Sequence, residues 1–367
     1  MSNLTSKLTA LADAIRKKAK RTDTLSIDEM TTAVEGIEVG DTSIEDGFIQ
    51  RKFTTYTNDR LTWIGSCAFY KCESLTSVNF PACKIIYSSA FNHCISLTDI
   101  NFPTCRDLDD SVFYECKSLH TADFPSCSTI GSYAFYGCWT LSSVNFPICS
   151  AVGGSAFNQC SKLTNVSFPA CKLIGFNAFM SCTRLTSVSF PVCKSIYNTA
   201  FAYCSSLTSV NFPVCTSIGS YAFRHCSSLT SVNFPVCTSI EGYAFSGCTS
   251  LTSVNFPVCT SIGNNAFSGC TSLTSVNFPM CTYIGSYAFS SCSNLTRIDL
   301  GASIVGTLAH SNAFSKAGIT STTGSIFVPA SLVSAYKSAT NWTYFANRIF
   351  AINTSGGGGN IDEPTPK

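Results

Sequence analysis

Cysteine is the residue whose type and spacing could most readily support chemistry in this chain. The sequence contains 22 cysteines, and from Cys72 to Cys292 one falls every 11 residues, with only Cys67 off this grid. Thiols at such spacing could form disulfides, hold a metal ion or fill a core. Because no C-x-x-C motif occurs and each grid position brings one thiol, we predict core residues and no metal site. Disulfides between neighbouring repeats stay open, although parallel side chains suit them poorly.

No combination of residues typical of catalysis is found. His93 and His225 share one position of a 22-residue repeat, directly before a cysteine, and this position also accepts Lys71, Glu115 and Gly137. Such tolerance indicates an exposed position. We therefore interpret both histidines as solvated. The carboxylates in one early repeat indicate a local acidic patch more than an acid/base pair: Asp107, Asp109, Asp110 and Glu115. With no phosphate-binding glycine loop either, we predict that the chain is not an enzyme and needs no cofactor.

Charge is sparse and balanced along the chain. Charged residues make up 12% of the sequence and the net charge is +2, so no global field attracts nucleic acid or an anionic membrane. No apolar run has the ~18 residues of a membrane span, so we predict no membrane insertion. The N-terminal segment lacks the unbroken apolar core of a signal peptide.

The cysteine grid belongs to a repeat that must position every side chain. Aligned from Ile64 in steps of 22 residues, the consensus is I-G-x-x-A-F-x-x-C-x-S-L-T-S-V-N-F-P-x-C-T-S, and SLTSVNFPVCTSI occurs unchanged at 206–218, 228–240 and 250–262. Leu207, Val210 and Phe212 have the L-x-x-L-x-L spacing of leucine-rich repeats. We predict a strand over 208–212, ended by Pro213, and a return arm with a short helical turn around Ala222 and Phe223.

These features together predict an α+β leucine-rich-repeat solenoid. We expect about eleven 22-residue coils over residues 64–300, with one parallel strand per coil. The combination of A-F-x-x-C, L-x-x-V-x-F-P and the Ile-Gly of the return arm resembles the BspA-like, or treponemal-type, leucine-rich repeat. That resemblance implies non-enzymatic, surface-exposed binding or adhesion proteins of bacteria and some protists. The second cysteine, after F-P-x, departs from many members of the family.

The two ends of the chain do not follow the repeat. Apolar stripes and a capping box at Ser26 and Glu29 predict an N-terminal helical hairpin over residues 1–38, for assembly or attachment. Residues 11–37, LADAIRKKAKRTDTLSIDEMTTAVEGI, also resemble a module of tail-associated proteins in phages and prophages of gut bacteria. The basic run at 16–21 suits a helix C-terminus, with an acidic partner as the alternative. We further predict a lead-in and cap at 41–63, a degenerate repeat and C-terminal cap at 301–353, with a strand at SIFVP and a helix capped by Ser331, and a flexible tail at 354–367.

A few positions vary while the rest of each coil is almost copied. They flank Ala-Phe and are rich in Tyr, Asn and Ser, which is the composition of adaptable binding surfaces. Tolerated drift on a solvated face is the alternative explanation. The residues that we predict as a ligand-binding face are Tyr133, Phe176, Asn177, Tyr203, Tyr221, Arg224, His225, Tyr243, Asn265 and Tyr287. We expect Tyr133, Tyr221, Tyr243 and Tyr287 to align in a row.

The sequence favours a binding or adhesion protein on a phage tail or a bacterial surface. Its expected partner is a protein or glycan on a cell surface, with homo-oligomer or virion assembly through residues 1–38 left open. One alternative is a structural spacer whose termini do the binding. Another is a carbohydrate- or ice-binding solenoid that uses regular columns such as those of Thr208 and Asn211.

Overall fold

The chain winds into a parallel β-solenoid. The computed structural model describes residues 54–352, so the predicted hairpin at 1–38, the start of the lead-in and the tail lie outside the described residues. Ser187 pairs with Ser209, and Val188 pairs with Val210, so each coil stacks on the next with a shift of one 22-residue repeat. Because one coil cannot bury its own apolar edge, only the stack closes the core.

Two ladders of parallel strands run along the solenoid. The first, here called the long-strand ladder, contains the V-x-F part of the repeat: Thr55–Thr57, Ser77–Asn79, Asp99–Asn101, Thr121–Asp123, Ser143–Asn145, Asn165–Ser167, Ser187–Ser189, Ser209–Asn211, Ser231–Asn233, Ser253–Asn255, Ser275–Phe278, Arg297–Leu300, Ser325–Val328 and Ile349–Ala351. It is divided into groups of three, two, three, two and four hydrogen-bonded strands.

The second, here called the short-strand ladder, is one continuous sheet of 12 two-residue strands. They are Trp63–Ile64, Ile85–Ile86, Asp107–Leu108, Thr129–Ile130, Ala151–Val152, Leu173–Ile174, Ser195–Ile196, Ser217–Ile218, Ser239–Ile240, Ser261–Ile262, Tyr283–Ile284 and Thr307–Leu308. The prediction of one strand per coil is therefore wrong for most of the solenoid. A two-residue strand has no periodicity of its own, and it forms here because its buried Ile, Leu or Val lies in register with the apolar residue of the next coil.

The number of coils also differs from the prediction. The long-strand ladder has 14 strands, so the solenoid makes about 14 turns instead of eleven. The additional turns are built on Thr55–Thr57, Ser325–Val328 and Ile349–Ala351. Their sequences lack the cysteine grid, and the step from Arg297 to its partner Ser325 exceeds one repeat. Pattern matching misses them because backbone pairing continues after the side-chain pattern has ended.

The core consists of ladders of like residues. In one coil, Leu207, Phe212, Cys215, Ile218 and Phe223 are all buried. Phe212 stacks on its equivalent Phe190 with ring centroids 5.3 Å apart, and Phe223 stacks on Phe245 at 5.3 Å. Apolar burial and offset ring stacking both stabilise this arrangement. The predicted core positions of the repeat are confirmed.

The C-terminal turns close the stack with an irregular cap. It contains 3₁₀ segments at Ser311–Phe314, Gly318–Thr320, Ala330–Leu332 and Trp342–Arg348, and one α-helix at Val333–Ser338. Ser331 does not cap this helix, because Pro329 leads directly into a 3₁₀ turn that contains Ser331. The indole N–H of Trp342 donates to the Gly306 carbonyl oxygen at 2.7 Å, and the Tyr336 hydroxyl accepts from the Gly306 N–H at 2.9 Å. Two buried aromatic rings thus cover the end of the short-strand ladder.

Candidate functional site

The return arm is a chain of tight turns, and this geometry sets where the variable side chains stand. The Ala222 N–H donates to the Gly219 carbonyl oxygen at 3.2 Å, and the Arg224 N–H donates to the Tyr221 carbonyl oxygen at 3.1 Å. Tyr221 and His225 have φ values of 61° and 58°. The short helical turn predicted around Ala222 and Phe223 is present only as a single hydrogen-bonded turn, because the left-handed residues Tyr221 and His225 on either side stop it from continuing as a helix.

Both left-handed positions recur in every coil from Cys67 to Ser291. The first precedes Ala-Phe and the second precedes the cysteine; we call them the first and second left-handed positions. The first holds Cys67, Ser89, Ser111, Tyr133, Ser155, Asn177, Thr199, Tyr221, Tyr243, Asn265 and Tyr287. The second holds Lys71, His93, Glu115, Gly137, Gln159, Ser181, Tyr203, His225, Gly247, Gly269 and Ser291.

Hydrogen bonds between coils hold this unfavourable backbone in place. A left-handed conformation costs most residues ~1–3 kcal/mol and persists only where the surroundings determine it. Here the N–H groups of Tyr221 and His225 donate to carbonyl oxygens of Gly242 and Ser246 in the next coil at 3.0 and 2.8 Å. The backbone is fixed while the side chain is free to vary. The variability of these positions thus reflects exposure combined with a rigid support.

Five of the predicted residues form one surface cluster, which we call the aromatic cluster: Tyr203, Tyr221, Arg224, His225 and Tyr243. The rings of Tyr221 and Tyr243 stack with centroids 4.7 Å apart and 6° between planes. Arg224 lies over Tyr221 and Tyr203, with its guanidinium carbon 5.4 and 5.9 Å from the two ring centroids. Tyr203 also contacts His225 at 5.2 Å.

Electrostatics within the aromatic cluster favour a neutral imidazole beside a single cation. Burial, and then the neighbouring Arg224 cation, lower the pKa of His225 below its ordinary value. The Arg224 Nε is buried without a hydrogen-bond partner, so the guanidinium is held by ring faces. The aromatic cluster therefore presents rings, one cation and several hydroxyl groups, which suits a polar surface that carries apolar faces.

The structure does not bring the other five predicted residues into this cluster. Tyr133 contacts Tyr136 at 5.9 Å, Phe176 contacts Tyr197 at 5.2 Å, and both Tyr133 and Phe176 are exposed. Asn177, Asn265 and Tyr287 lie at the first left-handed position of other coils. The expected row of tyrosines is thus interrupted, and only Tyr221 and Tyr243 stack, because the coils between Tyr133 and Tyr221 carry Ser155, Asn177 and Thr199 there.

The cysteines occupy two buried columns, as predicted. Cys226 donates its thiol hydrogen to the Phe201 carbonyl oxygen at 3.2 Å, and Cys215 donates to the Ser217 carbonyl oxygen at 3.2 Å. All cysteines of the described residues are free thiols, and Cys67 is exposed while the others are buried. Burial raises the pKa of Cys83 to about 11 and that of Cys127 to about 12. Thiols held in the neutral form are poor nucleophiles.

The polar groups that could suggest catalysis have structural partners. His93 and Lys117 both contact the Glu115 carboxylate, at 3.3 and 3.2 Å. Asp107 accepts hydrogen bonds from Ser128 and Thr129 of the next coil at 3.1 Å each. Within residues 54–352 no group of three His, Cys, Asp or Glu side chains is placed to hold a metal ion.

A groove that was not predicted from the sequence lies on the long-strand ladder. An open cavity of about 450 Å³ lies over the strands Asn165–Ser167, Ser187–Ser189 and Ser209–Asn211. At the third residue of these strands, neighbouring coils carry Asn145 and Asn211, whereas Ser167 and Ser189 are shorter. The two serines in a column of Asn and Asp were visible in the sequence, but only the stacked coils turn this difference into a depression.

Comparison with known proteins identifies the repeat. A family model described as BspA type leucine rich repeat region matches residues 47–160, 128–236 and 216–341. A leucine-rich repeat protein from Bacteroides ovatus is 22% identical, with a TM-score of 0.51, over 85% of this chain and 97% of that one. The pneumococcal vaccine antigen PcpA is 18% identical, with a TM-score of 0.50, over 85% of this chain and 91% of that one. No curated protein matches the sequence.

A leucine-rich cell surface protein from Faecalibacterium prausnitzii is 27% identical over 68% of this chain and 79% of that one, with a TM-score of 0.42. Among the described residues, no helix is long and apolar enough to cross a membrane.

Proposed function

Because this chain belongs to the BspA type leucine-rich repeat family, we propose that it is a non-enzymatic binding or adhesion protein whose contact surface includes the aromatic cluster. Its expected setting is a bacterial surface or a phage tail. The expected partner is a protein or glycan exposed on a cell. The solenoid supplies a rigid support, and the positions that vary from coil to coil supply recognition.

The observation that carries this proposal is the stacked pair Tyr221 and Tyr243 with Arg224 beside it. Their rings lie 4.7 Å apart on the surface of coils whose other residues are nearly identical. Core packing explains the repeated Phe and Cys, since these residues are buried. It does not explain aromatic rings at a left-handed position that accepts Ser or Asn equally well. Aromatic and Arg side chains in preorganised clusters dominate the energetics of many interfaces.

The test replaces the two tyrosines by residues that the same position already accepts. Alanine would add backbone strain at a left-handed position, whereas Asn tolerates it and occurs there as Asn177 and Asn265. We expect Tyr221→Asn with Tyr243→Asn to lower the melting temperature only slightly, because both rings are only partly buried and surface substitutions cost ~0.5 kcal/mol or less. Loss of both rings should weaken binding by ~2 kcal/mol or more.

The assay measures binding of purified protein to a panel of intact cells and to a glycan array. Tyr283→Asn is the matched control, since Tyr283 is exposed on the short-strand ladder, outside the aromatic cluster. If binding per folded molecule is the same in the double variant and the control, the aromatic cluster is not the contact surface. In that case the spacer alternative gains support.

The hydrogen bonds of the Thr and Asn columns weaken the ice-binding alternative. The Thr208 hydroxyl donates to the Thr186 carbonyl oxygen at 3.1 Å, and the Asn255 amide donates to the Asn233 amide oxygen at 2.7 Å. A regular ice-binding array would need these donors free along the whole ladder. In most coils they serve to hold one coil against the next.

A further inference from the structure

The groove on the long-strand ladder lies where three columns of the repeat change together. In the column before the conserved Leu, only Lys162 and Arg184 are charged, whereas the other coils carry Ser, Thr or Asn. In the column after the second cysteine, the same two coils carry Lys172 and Lys194. The strand residues between these columns are Asn165–Ser167 and Ser187–Ser189.

The register stacks these cations in two pairs, one before and one after the groove strands along the chain, and we call these pairs the two cationic rims. The Thr186 N–H donates to the Thr164 carbonyl oxygen of the preceding coil at 2.7 Å. Arg184 and Lys162 each lie two residues before these threonines, so they occupy equivalent positions in adjacent coils. Leu173 pairs with Ser195 in the next coil. Lys172 and Lys194 each lie one residue before this pair, so they also occupy equivalent positions in adjacent coils. One pair thus precedes the strands and the other follows them.

No acidic residue opposes this charge. The sequence has no Asp or Glu from residue 124 to residue 240. All four cations are exposed, and within residues 54–352 the recorded ion pairs involve other residues. A cleft flanked by charges of one sign attracts ligands of the opposite sign.

The floor of the groove offers uncharged hydrogen-bonding groups. The Asn165 amide oxygen accepts from the Thr186 and Ser187 hydroxyls at 2.9 and 2.7 Å, which leaves its amide nitrogen to donate to a ligand. Ser189 accepts from the Asn211 amide at 3.1 Å and retains its own hydroxyl hydrogen. Val166 and Val188 add small apolar surface between these groups.

We propose that this groove binds an acidic oligosaccharide, with sugar hydroxyls on the Asn and Ser floor and carboxylate or sulfate groups on the two cationic rims. Its volume of about 450 Å³ lies in the range of ligand sites, ~300–1,000 Å³. Serine and asparagine both donate and accept, as sugar hydroxyls do. The central strand Ser187–Ser189 is paired on both sides, so a peptide cannot add a strand at the centre of the groove.

The site is separate from the aromatic cluster and does not depend on it. The aromatic cluster is on the return arm, whereas the groove is on the long-strand ladder. The Tyr221→Asn, Tyr243→Asn variant should therefore bind the oligosaccharide as wild type does. Failure at one site leaves the other unaffected.

The experiment uses the full chain and substitutions drawn from the same columns. The rim variant carries Lys162→Ser and Arg184→Ser, and the floor variant carries Ser167→Asn and Ser189→Asn. The matched control carries Lys84→Ser and Arg106→Ser, which removes the same number of positive charges. These two residues belong to the same column as Lys172, but their coils lie outside the groove and carry Asn79 and Asn101 where the groove has Ser167 and Ser189. Each new residue already occurs in its column, so the melting temperature should stay close to that of wild type.

The probes are a sulfated octasaccharide, an oligogalacturonate, a neutral oligosaccharide of equal length, polyglutamate and a single-stranded oligonucleotide. We expect at least one acidic oligosaccharide to bind wild type and control equally, and to bind the rim and floor variants about tenfold more weakly, which corresponds to ~1.4 kcal/mol. Comparison of the sulfated and carboxylated probes identifies the acidic group. Binding should weaken with added salt.

Four binding results, besides the behaviour of the floor variant, would overturn the proposal. They are binding of no acidic oligosaccharide, equal binding of the neutral oligosaccharide, stronger binding of polyglutamate or the oligonucleotide, and equal losses in the control and rim variants. An unaffected floor variant would also contradict it, since charge alone would then suffice.

Discussion

The buried thiols predict a sharp loss of structure at alkaline pH. Burial raises the pKa of nineteen cysteines above their ordinary value. An unfolded thiol has a pKa of ~8.5. As the pH rises past this value, the unfolded chain releases protons while the folded chain keeps them. The stabilisation is therefore complete below pH ~8.5 and is lost as the pH rises towards the folded pKa values.

The magnitude follows from proton linkage. Each thiol with a raised pKa lowers the free energy of unfolding by ~1.4 kcal/mol per pH unit above ~8.5. A coil contains two such thiols, for example Cys215 and Cys226, and so loses ~3 kcal/mol per pH unit. The whole free energy of unfolding of a domain is ~5–15 kcal/mol. Summed over the coils, the effect should unfold the solenoid within about one pH unit above pH 9.

The assay follows circular dichroism and the ultraviolet absorbance of thiolate together during a base titration. Both should change in one cooperative step. Replacement of Cys67, which is exposed, by Ser should leave this step in place. Replacement of Cys215 by Ala should reduce the slope of the unfolding free energy against pH by ~1.4 kcal/mol per unit.

A gradual thiolate signal near pH 8.5 with unchanged circular dichroism would contradict the prediction that thiol ionisation and unfolding are coupled. Such a result would mean that the thiols reach solvent in the folded chain. A transition that appears only with tyrosine ionisation would equally contradict it.

Three further predictions test the architecture and the ends. Phe234→Ala should cost ~3–5 kcal/mol and loosen neighbouring coils first in hydrogen exchange, while Val236→Ala at an exposed position should cost ~0.5 kcal/mol or less; uniform loosening along all coils would contradict a one-dimensional stack. Denatured protein should titrate with close to 22 free thiols without reductant, and a value near zero would mean disulfides. Deletion of residues 1–38 should change the mass in solution or incorporation into particles, and no change in either would contradict an assembly role.

The sequence could predict the parts of the fold that depend on side-chain periodicity. Leu207, Val210 and Phe212 recur often enough to fix the strand, the direction of their side chains and the core. The short strand Ser217–Ile218 could not be predicted, because two residues carry no alternation. The left-handed backbone at Tyr221 and His225 was hidden for another reason. Hydrogen bonds to the next coil stabilise the positive φ angle at these positions, so residues other than glycine are found there and the sequence gives no glycine signal.

The candidate site was predictable only in part. Variability around Ala-Phe indicated Tyr221, Arg224 and Tyr243, but it could not show which coils place their rings in contact. The groove was not predicted, because its signal is a loss of volume at Ser167 and Ser189. A smaller residue at an exposed strand position resembles harmless variation until neighbouring coils define the walls.

The identical strand segments of the central coils make the length of this protein an evolvable quantity. Segments 206–218, 228–240 and 250–262 are the same, so in this part of the coil each unit presents the same packing surface to its neighbour. Recombination within the gene that removes or duplicates one 22-residue unit would leave matching interfaces and a complete core. Each such event would shift the sites on one side by ~4.8 Å relative to those on the other. Selection could therefore change the distance between these sites in steps of one coil, without requiring a new core or a new interface.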